Sequence, residues 1–183
     1  MTSATLLTRG TVGVGVLAAM LLAGGATAGW SQTDADREAT RNQVRTALRT
    51  IGPKIGVSFQ QAQANPFNFS GTMTQGLDDA ESLEVIVMVG KNAILTVRVF
   101  PHIAGDRYIN IDRAADGDGL ARKLLGSNAG DFFHWGMDDV NDIFAEFTFT
   151  LESGFPQESL DVVLRSVALL DPKVGEMQEF IGR

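Results

Sequence analysis

The sequence predicts an α+β fold: an antiparallel sheet of about five strands with helices on one face, in the order α-β-β-β-α-β-β-α. Three patterns predict it. Residues 83–89 (LEVIVMV) and 93–100 (AILTVRVF) alternate and are joined by Gly90-Lys91-Asn92, as in a hairpin. A second pair, 131–137 (DFFHWGM) and 142–151 (DIFAEFTFTL), flanks the turn Asp138-Asp139-Val140-Asn141. Helical periodicity precedes the first strands and follows the last.

The elements follow in order. Residues 31–51 read as a helix capped by Thr33 or Asp34, with Asp36 and Glu38 where the helix dipole favours anions. Val44, Ala47, Leu48 and Ile51 form a narrow apolar stripe. Arg37, Arg41, Arg45 and Arg49 recur every four residues on another face, which reads as a solvated face or as a grip for an acidic partner. Gly52-Pro53 stops the helix. Residues 55–66 carry no clear pattern, and 67–73 form a short strand. After the first hairpin, 108–111 leads into a helix over 112–125, which Gly126-Ser127-Asn128 ends. Pro156 suits the first position of a closing helix lined by Leu160, Val163, Leu164 and Val167, and 174–181 adds a turn or two.

Alternate residues of a strand share a face. Leu83, Val85, Val87 and Val89, then Leu95, Val97 and Val99, then Ile143, Ala145, Phe147, Phe149 and Leu151 make three apolar rows for the helices to cover. The opposite face is only half polar. There Glu84, Arg98 and Glu146 would orient a partner, and Ile86, Met88 and Phe144 would supply contact area. Trp135 is expected in the core, on one strand face with Phe133 and Met137.

The N-terminus reads as a secretory signal peptide over 1–28. Arg9 is followed by an apolar run, 12–22, that is short for a membrane span, and Ala26-Thr27-Ala28 supplies the small residues of a cleavage site before Gly29. An uncleaved anchor is the alternative. The remainder, 29–183, is expected to be a single α+β domain, periplasmic or secreted.

Composition excludes several functions. The chain has 183 residues, 44% hydrophobic and 20% charged, which suits a globular protein. Its formal net charge of −7 repels phosphates, so neither nucleic acid nor an anionic membrane surface is an expected partner. It has no cysteine, which removes disulfides, thiol nucleophiles and Cys-ligated metals. Residues 112–123 (DRAADGDGLARK) fail as a calcium loop, because Ala114 and Lys123 occupy ligand positions. The acids at 138–142 read as a tight turn with side chains splayed into solvent. His102 and His134 are separated, and 126–130 lacks the spacing of a nucleophile elbow. No cofactor is expected, neither calcium nor zinc, and no catalytic residue emerges.

The run 131–167, with its acidic turn, Phe-rich strand and Phe155-Pro156 entry into the last helix, resembles the YbjN family, described as bacterial sensory transduction regulators. The resemblance covers roughly 67–170. It implies a fold like that of type III secretion chaperones and a binding role without catalytic residues. The chain is therefore expected to be a non-enzymatic, exported regulatory or binding domain with a protein partner in the cell envelope, a second copy being one option. An envelope hydrolase using acidic residues, or a structural envelope component, is the alternative.

Overall fold

The computed structural model describes residues 33–105 and 107–182, so the signal peptide read at 1–28 lies outside the described residues. Helix α1 (Asp34–Ile51) is capped by Thr33, whose hydroxyl accepts the Asp36 N–H at 3.1 Å. Its buried stripe is Thr40, Val44, Ala47, Leu48 and Ile51. The arginine stripe is not simply solvated. The Arg37 guanidinium lies 3.5 Å from the Phe67 ring centroid and donates to the Val89 carbonyl at 2.8 and 3.1 Å. Arg41 approaches the same ring, at 5.5 Å. These two long side chains thus set their guanidiniums against an aromatic face at the rim of the sheet.

The sheet is antiparallel, as predicted, but has seven strands: β1 (Gln60–Gln61), β2 (Asn68–Met73), β3 (Ser82–Val89), β4 (Ile94–Ile103), β5 (Arg107–Tyr108), β6 (His134–Met137) and β7 (Ile143–Thr150). The order is β1-β2-β3-β4-β7-β6, and β5 pairs with the far end of β4. The two added strands, β1 and β5, are two residues long and too short to show alternation.

Period-two patterning fixes which face is covered. Leu83, Val85, Val87, Leu95, Val97 and Val99 have no exposed surface. Burying each contributes roughly 1.5–3 kcal/mol relative to leaving it in water. Over them lie α1, α2 (Gly117–Ser127), α3 (Gln157–Arg165) and α4 (Asp171–Ile181), in one continuous core with Leu120, Leu160, Leu164, Val174 and Met177. Helix α2 begins later than the sequence suggests. Residues 111–113 form a separate 3₁₀ turn, and Asp116 caps α2 by accepting the Gly119 N–H at 2.9 Å. Pro156 stands at the cap of α3, one position before the helix. The C-terminal tail is a full helix, α4.

Trp135 is buried with Phe133, as expected, but Met137 is 56% exposed. It ends the edge strand, beyond the reach of the helices. That edge is partly closed at Trp135. The Asn128 side-chain amide accepts the Trp135 N–H at 2.6 Å and donates to its carbonyl at 3.0 Å, taking the place of a neighbouring strand.

Candidate functional site

The sheet face that no described helix covers is built from the residues that alternate with the core rows. Pairing aligns them in rungs: Ser70, Ile86, Arg98, Glu146 and His134 in one, Thr72, Glu84 and Phe100 in the next, and Asn68, Met88, Thr96 and Thr148 on the other side. All six residues singled out in the sequence, Glu84, Ile86, Met88, Arg98, Phe144 and Glu146, stand on this face.

Three of them form one unit. Arg98 donates through Nε and Nη2 to Glu146 Oε2 at 3.1 and 2.8 Å, and its guanidinium lies 3.8 Å from the centroid of the Phe144 ring. The Arg98 and Glu146 side chains are 28% and 30% exposed, so water weakens but does not cancel their attraction. Phe144 is only 8% exposed, sheltered by Arg98 and by Phe100 at 5.7 Å between ring centroids. It therefore serves as a floor that holds Arg98 flat, not as the contact area the sequence assigns to it. Ile86 and Met88 are half-buried and do offer apolar area.

Glu84 belongs to a second unit, which sequence reasoning missed. Tyr108 donates its hydroxyl to Glu84 Oε2 at 2.8 Å, and His102 Nε2 lies 3.8 Å from the same oxygen. The His102 and Tyr108 rings meet edge to face at 4.3 Å, and Phe100 meets Tyr108 at 5.6 Å. Ser82 pairs with His102 across the strands but its Oγ has no hydrogen-bond partner among the described residues. A cleft of about 440 Å³ opens here, lined by Thr72, Glu81, Ser82, Glu84, His102 and Tyr108. Phe100 already falls in the strand read at 93–100, and His102 continues its alternation and could have been found by extending that strand. Tyr108 could not, because β5 holds only two residues.

In the acidic turn at 138–142, Asp139 is exposed as the sequence suggests, but Asp138 and Asp142 turn back onto the protein. Asp138 Oδ1 accepts the N–H groups of Val140 at 3.0 Å and Asp142 at 2.9 Å. Asp142 Oδ1 accepts from Asn110 Nδ2 at 2.8 Å and Arg113 Nη2 at 3.2 Å. Asp138 satisfies turn donors, Asp142 ties the turn to Asn110 and Arg113, and Asn141 takes the left-handed conformation at φ 66°. Among the described residues, no three His, Asp or Glu side chains are grouped so as to hold a metal ion.

No family model matches the chain, and no curated protein matches it. Among solved structures, the chain is similar to the crystal structure of YbjN from E. coli, described as a candidate transcription regulator. The two are 13% identical, the likeness covers 73% of this chain and 86% of that chain, and the TM-score is 0.45.

Proposed function

We propose that this chain is an exported, non-catalytic binding module that takes a protein partner on the open face of its sheet. One observation carries the reading: the uncovered face joins half-buried apolar side chains, Ile86 and Met88, to a pre-oriented ion pair, Arg98 and Glu146, on adjacent strands. Apolar area beside polar groups already held in place lowers the ordering cost of association. The export half of the reading rests on Arg9, the apolar run 12–22 and Ala26-Thr27-Ala28.

A photo-crosslinking residue at Met88, in living cells, tests the binding half. A discrete protein adduct in the envelope fraction is expected, with none from the exposed helix positions Val162 and Leu169. Adducts from the helix side alone, or from neither side, would sink the proposal. N-terminal sequencing tests the export half, with Gly29 as the expected first residue; a full-length chain held in the membrane would replace cleavage with anchoring.

A second reading, a hydrolase, has one observation in its favour: the cleft beside Tyr108 contains two carboxylates, Glu81 and Glu84. Glu84 is engaged by Tyr108, and no hydrogen bond joins Ser82 Oγ to His102. Hydrolysis of a chromogenic ester or glycoside panel that disappears in Glu84→Gln, with the fold retained, would favour this reading over the first.

A further inference from the structure

At the opposite edge of the molecule, the C-terminal half of α1 and the β1–β2 rim enclose a cleft of about 560 Å³. That volume is in the range of small-molecule sites. Arg45 and Arg49, one helical turn apart, line one side. Phe59 and Pro53 supply the accessible apolar surface, and the buried side chains Leu48, Val57 and Phe69 back it.

Close backbone approach builds the wall. A Cβ on Gly52 would stand 2.5 Å from the Val57 carbonyl oxygen and 3.2 Å from the Phe59 ring. A Cβ on Gly71 would stand 2.6 Å from Val57 and 3.2 Å from Phe59. Two glycines on separate elements therefore let the Val57–Phe59 segment lie against both, with Phe59 half-buried at the cleft.

The charge of the cleft is one-signed. Arg45 donates to Asn42 Oδ1 at 2.9 Å and to Gln61 Oε1 at 2.7 Å. Both partners are neutral, so they fix the guanidinium without cancelling its charge. Gln61 is itself anchored, donating to the Pro66 carbonyl at 2.6 Å. Arg49 is exposed and makes no hydrogen bond or ion pair among the described residues. Among the described residues no acidic side chain lines the cleft, in a chain whose net charge is −7.

We propose that this cleft is a binding site for a small organic carboxylate with an apolar body, an aryl or short acyl acid. The carboxylate sits between Arg45 and Arg49, and the apolar body lies on Phe59 and Pro53. Arg45 is preorganised and Arg49 is the free arm that closes on the anion, since guanidinium and carboxylate match in shape and charge. The apolar floor distinguishes this ligand from a bare inorganic anion, which would leave that surface in water.

The isotope-labelled full chain is titrated with 3-phenylpropionate, octanoate, 3-phenylpropionamide and inorganic phosphate, reading the amide signals of Gly52, Gly56, Phe59 and Gly71. Saturable shifts confined to these residues are expected with at least one carboxylate, and binding at least about tenfold weaker with the amide and with phosphate. Arg49→Gln, at an exposed and unpartnered side chain, should keep the remaining spectrum and weaken carboxylate binding about tenfold. No saturable shift with either carboxylate up to ~10 mM would overturn the proposal. So would equal binding of the amide, equal binding of phosphate, or unchanged affinity in Arg49→Gln.

Discussion

Asp171 shows how much one side chain can organise. It is 5% exposed, and its carboxylate accepts the N–H groups of Asp78 at 2.8 Å, Asp79 at 3.1 Å and Ala80 at 2.8 Å. It thereby ties the loop before β3 to the start of α4, where the helix dipole also favours an anion. Removing it strands three donors, of which the Ala80 N–H is buried and the other two are partly buried. Asp171→Ala should cost roughly 2–4 kcal/mol, since an unsatisfied buried donor costs about 1–3 kcal/mol and some of the loss is relieved by water. Asp171→Asn should recover only part of this, because its NH₂ would face an N–H. Urea midpoints of the three proteins measure it, and a loss under about 0.5 kcal/mol in Asp171→Ala would show that the loop is held by other contacts. Trp135 makes a different kind of contribution. It is 5% exposed within the core, and its Nε1 donates to Asp131 Oδ2 at 3.3 Å. Trp135→Ala should cost roughly 3–5 kcal/mol by thermal or denaturant melting; normal stability would mean the ring is not packed.

Elements were legible where they bury one face over several residues. The rows of β3, β4 and β7 and the stripe of α1 declare themselves because solvent and core impose opposite demands on neighbouring positions. Strands β1 and β5 make too few pairs to carry such a pattern, and with β5 the role of Tyr108 was hidden. The packing of Arg37 and Arg41 of α1 was not legible, because the sequence does not say that the Phe67 ring lies beside both and the Val89 carbonyl beside Arg37. Of the candidate face, membership was legible but depth was not: Phe144 has the same parity as Glu146, yet Phe100 and Arg98 cover it. The junction of α2 and α4 was also invisible, and it makes a pH prediction. Lys123 and Lys173 donate to Glu176 at 2.7 and 3.3 Å, and Lys173 also reaches Asp131 at 3.2 Å. These hydrogen bonds, first from Lys123 and then from Lys173, hold the Glu176 carboxyl below its ordinary value of 4.5. A lowered carboxyl contributes stability that is present above the unfolded-state value and lost as pH falls through the folded-state value. Hydrogen bonds to Asp131 and then Glu176 raise Lys173 above 10.5, so its contribution is present below that value and lost as pH rises through the folded one. The stability difference between wild type and Glu176→Gln should therefore be constant near neutrality and shrink in acid. A difference that does not change in acid would detach the network from stability.

At the scale of the whole molecule, the sheet has one side packed on the helices and another that no described helix covers. Neighbouring positions on one strand fall on opposite sides of that division. Val85 has no exposed surface and faces the helices, whereas Ile86 is half-buried and faces away from them. Replacing either by Thr removes apolar atoms and introduces a hydroxyl, but the surroundings decide the cost. At Val85 the hydroxyl enters an apolar layer between Val99 and Gly71 on the flanking strands, where no donor or acceptor of the sheet ladder is spare. The expected loss is about 1–3 kcal/mol for an uncompensated buried hydroxyl. At Ile86 water reaches the new group, Thr suits a strand, and the expected loss stays below about 1 kcal/mol. Crosslinking from Met88 should respond in the reverse sense. Ile86→Thr removes apolar area beside the crosslinker and should weaken capture of a partner, while Val85→Thr should leave capture intact in whatever fraction remains folded. Melting curves and adduct yields of the two variants, read together, separate the sides. Equal destabilisation by both substitutions would mean that the Ile86 face is packed within the molecule and is not a surface for a partner.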